Sequence, residues 1–117
     1  MKFMFTIYHD EKVLDAMPEN EMRALVDSAI EYADELRRSG HFIASNALQP
    51  VRTARTIRVH DGKVSTTASH YAETREQLGG YFVIEAKDDA EADLVARDCP
   101  HLWNATNWVE LRPIDAM

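Results

Sequence analysis

The first residues of the chain alternate with the two-residue period of a β-strand. Over residues 2–8, one face carries Phe3, Phe5 and Ile7, and the other carries Met4, Thr6 and Tyr8. Because both faces are largely apolar, this pattern predicts a central strand that is covered on both sides. The polar residues 9–12 are predicted to form the loop that leaves it.

Two segments repeat apolar residues with the period of an amphipathic helix. The first is predicted to begin at Pro18 and to end at Gly40, since proline suits the first turn and glycine the end of a helix. Its stripe consists of Met22, Leu25, Val26, Ala29, Ile30, Ala33 and Leu36. The second begins at Asp88, which with Glu91 resembles a capping box, and ends at Pro100. Its inner face consists of Ala92, Val95, Ala96 and Cys99.

Further strands are predicted over residues 41–48, 81–84 and 107–114. In the last of these, Val109 and Leu111 share one face, and the other face carries Trp108, Glu110 and Arg112. Residues 53–60 and 63–67 are predicted to pair as a hairpin, because Asp61-Gly62 is a strong signal for a tight turn.

The order β-α-β-β-β-β-α-β predicts an α+β fold: a ferredoxin-like sandwich with an antiparallel sheet, two helices on one face and an inserted hairpin. The helices cover one face of the sheet only. Tyr8 and Trp108 need cover on the other face, and a second copy of the chain is the simplest cover. We therefore predict a single domain, residues 1–117, that forms a homodimer of the dimeric α/β-barrel type.

Composition excludes several classes of function. The formal net charge of the 117 residues is -7, which opposes nonspecific binding to nucleic acid or to an anionic membrane. A lone cysteine, Cys99, excludes an internal disulfide and is predicted to pack in the core. No basic region followed by a long apolar segment begins the chain, so we expect a cytoplasmic protein without a membrane span.

Several segments, in the same order along nearly the whole chain, resemble the YCII-related family and its branch named for a D-G-P-F motif. They are F-M-F-T-I-Y-H-D-E, E-L-R-R-S-G, A-L-Q-P, R-V-H-D-G-K-V, Y-A-E-T-R-E-Q-L-G-G-Y-F-V-I-E and W-V-E-L-R-P-I. The resemblance implies a ferredoxin-like dimer with facing sheets and an enzymatic pocket built on a His-Asp pair. It also implies small-molecule substrates and, for branch members encoded near sigma factors, a regulatory role.

The chain departs from the family pattern at the residues that carry its chemistry. Residues 68–71, Ala-Ser-His-Tyr, replace the D-G-P-F motif, so the acid of the pair falls on Ala68. The histidine of the first helix falls on Ala29. Both members of the expected dyad are therefore absent, and the methyl group of alanine cannot transfer a proton in their place.

The candidate catalytic pair is therefore His70 with Glu73, on the loop that precedes the strand at 81–84; an ordinary loop histidine is the alternative. The candidate ligand-binding residues are Tyr8, Tyr71, Arg75, Glu110 and Arg112. For each of them a structural role, in packing or in an ion pair, is the alternative. His9, His70 and His101 have no ligand spacing, so we predict no metal site, and no motif indicates a cofactor.

Three functions fit these residues. The first is a small dimer that binds a small organic ligand in a pocket between sheet and helix or between sheets, without dyad chemistry. The second is a cofactor-free lyase, isomerase or hydrolase that uses His70 as acid or base. The third is a protein-interaction regulator in a sigma-factor pathway that does not contact DNA directly.

Overall fold

The computed structural model describes residues 1–68, 76–103 and 107–116. Its elements, in chain order, are β1 (Lys2–His9), α1 (Glu11–Asp15), α2 (Glu19–Ser39), β2 (Phe42–Ala47), β3 (Thr56–His60), β4 (Lys63–Thr67), β5 (Gln77–Glu85), α3 (Asp89–Arg97) and β6 (Trp108–Pro113). Short 3-10 helices lie at Val51–Thr53 and Pro100–Trp103. None of the helices in these ranges is both long and apolar enough to cross a membrane.

Within the described residues, the main sheet has the strand order β2-β5-β1-β6, and every neighbouring pair is antiparallel. Strand β1 pairs with β5 from Lys2↔Glu85 to His9↔Gln77, and with β6 on its other side. Each long helix thus connects two strands that are separated by one strand of the sheet, which is the topology of a ferredoxin-like fold. The predicted α+β class and antiparallel sheet are confirmed.

The core lies between one face of this sheet and the helices α2 and α3. The rings of Phe5 and Phe82 stack at a centroid distance of 5.1 Å, and Tyr32 meets Phe82 edge-on at 5.3 Å. The Tyr32 hydroxyl donates a 2.6 Å hydrogen bond to the carbonyl oxygen of Val95, which ties α2 to α3. The other buried core residues are Phe3, Ile7, Leu36, Ile84, Ala86, Ala92, Ala96 and Cys99, as the alternation of β1 and the stripe of α3 predict.

The inserted hairpin stands apart from this core. Strands β3 and β4 pair from Thr56↔Thr67 to His60↔Lys63, and the turn residues Asp61 and Gly62 have φ angles of 50° and 75°. Positive φ at both positions is typical of the type I′ turn that Asp-Gly favours. The apolar side chains Ile57, Val59 and Val64 are 68–70% exposed, so the described part of the chain does not cover them.

The segment after β1 differs from its prediction. Residues 9–12 were expected to form a loop, but α1 begins within them. The Asp10 carboxylate accepts a 2.9 Å hydrogen bond from the backbone N–H of Lys12, which caps the first turn of the helix. Because α1 has only five residues, no helical periodicity is visible over this stretch.

Candidate functional site

Helix α2 contacts the core with only part of its apolar stripe. Tyr32 and Leu36, in its second half, are buried. In the first half, Val26 and Ile30 are 47% and 57% exposed. The apolar stripe predicted for this helix is therefore not buried along its whole length. Instead, its first half faces a cavity of about 410 Å³ between the helix and the sheet.

The cavity has predominantly apolar walls. Most of the apolar side chains come from α2, and the others come from the sheet and from residues beside it. They include Met22, Leu25, Val26, Ala29, Ile30, Ala33, Ile7, Phe42, Phe82, Leu14 and Leu48. Its volume lies in the range of sites that bind small molecules, which are typically apolar with a few polar groups. The basic residues of the lining are His9, His101 and Arg37.

The His9 ring is positioned by an irregularity in the sheet. The pairing of β1 with β5 shifts between Ile7 and Tyr8, so that Ile7 is opposite Gly80 and Tyr8 is opposite Leu78. Gly79 is the extra residue of this bulge. A Cβ atom on Gly79 would overlap the His9 imidazole, so the glycine leaves the space that the ring occupies.

His101 comes to the same cavity from the 3-10 helix that follows α3. Its Nδ1 lies 3.8 Å from the Sγ of Cys99. Burial lowers the pKa of His101, and the charge of His9 lowers it further. Burial also lowers the pKa of His9, although the carboxylates of Glu11 and Asp10 oppose that effect. For both rings, burial favours the neutral imidazole.

Cys99 does not add a reactive group to the site. Its side chain is buried, and burial raises the pKa of the thiol, with hydrogen bonds from the backbone of His101 and Leu102 opposing the change. A thiol that stays protonated is a poor nucleophile and a poor metal ligand. This confirms the prediction that Cys99 is a core residue. The described ranges contain no group of three or more His, Cys, Asp or Glu side chains placed to hold a metal ion.

The opposite face of the sheet carries a separate feature. The rings of Tyr8 and Trp108 are neighbours on β1 and β6 and stack at a centroid distance of 4.1 Å. They form one end of an open groove of about 690 Å³, which continues along residues 48–54 and 76–78. No described element packs over this face, although the pattern of β1 predicted cover on both sides.

The predicted site residues are distributed as follows. His70, Tyr71, Glu73 and Arg75 lie outside the described residues. Tyr8 lines the groove on the outer face, whereas Glu110 and Arg112 are exposed side chains of β6 that line neither the cavity nor the groove. Ala29, where the family histidine was expected, lines the cavity; Ala68 is exposed at the end of β4.

Sequence reasoning did not identify His9 and His101 as partners in one cavity. A signal for His9 was present, since it follows Ile7 by two residues and therefore falls on the same strand face. No comparable signal marks His101, because its position depends on how the chain turns after α3.

Comparison with known proteins matches the chain to one protein family. The family model of the YCII-related domain matches residues 1–117. An uncharacterized protein of Rhizobium meliloti (strain 1021) is 27% identical over 114 residues, which cover 97% of this chain and 92% of that protein. A family match over the whole length, together with the sheet order described above, identifies the chain as a member of the YCII-related domain family.

Proposed function

We propose that this protein binds a small, largely apolar organic molecule in the cavity between α2 and the sheet. The observation that carries the proposal is the exposed first half of the α2 stripe. Apolar side chains such as Val26 and Ile30 are left uncovered beside a cavity of about 410 Å³. Filling that space with an apolar ligand would remove this surface from water, at roughly 25 cal/mol per Å².

The same cavity argues for binding without the dyad chemistry of the family. The expected histidine position is Ala29, whose methyl group lines the cavity but cannot accept a proton. The alternative pair, His70 with Glu73, lies outside the described residues, so catalysis by it remains a prediction.

A neutral apolar fluorophore, N-phenyl-1-naphthylamine, tests the binding proposal. Its fluorescence is expected to rise on addition of the protein and to saturate. Ala29→Trp places a large ring in the cavity and is expected to abolish the signal. The matched control is Ala90→Trp, since Ala90 is exposed on α3 and outside the cavity lining. Equal binding by both variants, with thermal unfolding unchanged, would show that the cavity is not the site.

We propose further that a second copy of the chain covers the outer face of the sheet. The stacked pair Tyr8 and Trp108 supports this proposal, because Trp108 is 41% exposed and aromatic residues are enriched in interfaces. Sedimentation velocity is expected to show a dimer that Trp108→Lys converts into a monomer. Trp103→Lys, which changes an exposed tryptophan outside the sheet, is expected to leave the dimer intact. A wild-type monomer at micromolar concentration would refute the proposal.

A protein-interaction role is the second candidate function, and the hairpin is the observation that favours it. Ile57, Val59 and Val64 form an exposed apolar surface on a two-stranded element that is marginally stable by itself. The role requires this surface to remain free in the dimer. If these strands lose hydrogen-exchange protection when Trp108→Lys converts the dimer into a monomer, the hairpin belongs to the dimer interface and is excluded as a docking site for a sigma-factor pathway protein.

A further inference from the structure

We propose that the cavity between α2 and the sheet selects a small organic carboxylate, with its apolar body along α2 and its carboxylate at His9 and His101. This inference rests on the binding function proposed above and specifies the class of ligand. It follows from three features of the cavity: its basic side chains, the contacts that nearby acidic residues make elsewhere, and the protonation of the two imidazoles.

The ionisable side chains that line the cavity are basic, although the protein as a whole is acidic. The chain has 20 acidic and 13 basic residues, excluding histidine. Among the described residues, however, the lining includes no Asp or Glu, and its basic side chains are Arg37, His9 and His101. Such a lining places no carboxylate where it would repel a bound anion, and its imidazoles can gain positive charge by protonation.

The acids nearest to this lining make contacts elsewhere. Asp10 accepts a hydrogen bond from the backbone N–H of Lys12. Glu11 accepts one from the backbone N–H of Val51, at 2.9 Å. Asp34 pairs with Arg37 at 2.8 Å on the exposed surface of α2. None of these three carboxylates is among the residues that line the cavity, although Asp10 and Glu11 still act on His9 electrostatically.

The two imidazoles complete the argument. In the free protein, burial lowers the pKa values of both rings and so favours their neutral forms. A bound carboxylate would favour the protonated form of either ring and would form a charge-assisted hydrogen bond with it. Binding therefore takes up a proton from solution, and the imidazolium so formed donates its N–H to the carboxylate oxygen.

The groups that determine this pH dependence come from several elements. Asp10 and Glu11 act on His9; the thiol of Cys99 lies beside His101. Arg37 of α2 and Tyr81 of β5 also line the cavity. Since the titrating rings are the two histidines, affinity for a carboxylate is expected to increase as pH falls from 8 to 6.

The test compares 4-tert-butylbenzoate with 4-tert-butylbenzamide, which has a similar shape and no charge, by isothermal titration calorimetry. The benzoate is expected to bind at least about tenfold more tightly at pH 6.5, the effect of one hydrogen bond to a charged group. Titration of the wild-type protein in two buffers of different ionisation enthalpy is expected to show proton uptake for the benzoate and none for the benzamide.

Variants assign the effect to the two rings. His9→Gln and His101→Gln are each expected to reduce benzoate affinity about tenfold and so to remove most of the preference for benzoate over benzamide. The control, His60→Gln, changes an exposed histidine of the hairpin and is expected to have no effect. Because the proton uptake is measured on the wild-type protein, the test does not depend on the folding of any variant.

Each other result has a distinct meaning. Equal binding of benzoate and benzamide, abolished by Ala29→Trp, would overturn the selection of carboxylates and leave the proposed binding function in place. Binding of neither compound, and of no N-phenyl-1-naphthylamine, would overturn both proposals.

Discussion

Gly79→Ala tests whether the bulge in β5 positions His9 in the cavity. The backbone at Gly79 is outside the left-handed region, so alanine adds no backbone strain there. The added methyl group would, however, overlap the His9 imidazole. The ring must therefore leave its place, or the surrounding strands must shift to accommodate both groups.

The size of the effect follows from two opposing terms. Replacing glycine with alanine inside a strand stabilises the folded state by about 0.5–1 kcal/mol. Overfilling a packed site destabilises it by roughly 1–3 kcal/mol. The net change in the wild-type background is a loss of about 0–2.5 kcal/mol. In a His9→Ala background the overlap is absent, and the same substitution is expected to stabilise the protein by about 0.5–1 kcal/mol.

Urea unfolding of the four proteins in this double-mutant cycle measures the coupling, which is expected to be about 1–3 kcal/mol. Gly80→Ala is the matched control. A Cβ atom on Gly80 would lie 2.9 Å from the backbone oxygen of Asn46, and removing the His9 ring does not relieve that contact. Its cost should therefore be equal in both backgrounds.

An NMR titration of the histidine rings gives a second measurement. In Gly79→Ala, the pKa of His9 is expected to rise, because the ring loses the burial that lowers it while Glu11 and Asp10 remain nearby. Gly80→Ala is expected to leave it unchanged. A coupling below about 0.5 kcal/mol, together with an unaltered His9 titration, would show that Gly79 does not hold the ring.

Other predictions concern stability and reactivity. Below the ordinary histidine pKa of 6.5, the unfolded chain binds protons that folded His9 and His101 do not bind. The free energy of unfolding should therefore fall as pH decreases through 6.5. The His9→Gln/His101→Gln protein should show a smaller dependence of this free energy on pH, and an identical dependence would contradict this account. Tyr32→Phe removes the hydrogen bond to the Val95 carbonyl and is expected to lower the free energy of unfolding in urea by about 1–2 kcal/mol. Tyr81→Phe alters an exposed contact with Asn46 and should lower it by less than about 0.5 kcal/mol. Cys99 is buried, so its reaction with Ellman's reagent should follow unfolding, and rapid labelling of the native protein would place the thiol at the surface instead.

Local patterns were sufficient to predict most of the framework. The alternation of Phe3, Phe5 and Ile7 correctly predicted the buried face of β1, and the spacing of Ala92 and Ala96 that of α3. The Asp61-Gly62 turn was also correct. These features depend on neighbours within a few residues, which a sequence displays directly.

The cavity was not predictable in the same way, because it depends on how far an apolar stripe is covered. Val26 and Leu36 belong to the same stripe of α2, yet Leu36 is buried in the core and Val26 lines the open space. Their chemical character is alike; only the position of the helix over the sheet distinguishes them. For the same reason, the outer-face ring stack of Tyr8 and Trp108 joins residues 100 positions apart.

The sequence by itself determined the order of the strands and of the two long helices, and the buried faces of β1 and α3, since each is a property of residue type and spacing. Only the tertiary structure brought His9 and His101 to one cavity. Their approach requires a register shift at Gly79 and a turn after α3. Both are consequences of strand pairing and helix packing over distant residues, which no short segment of the chain encodes.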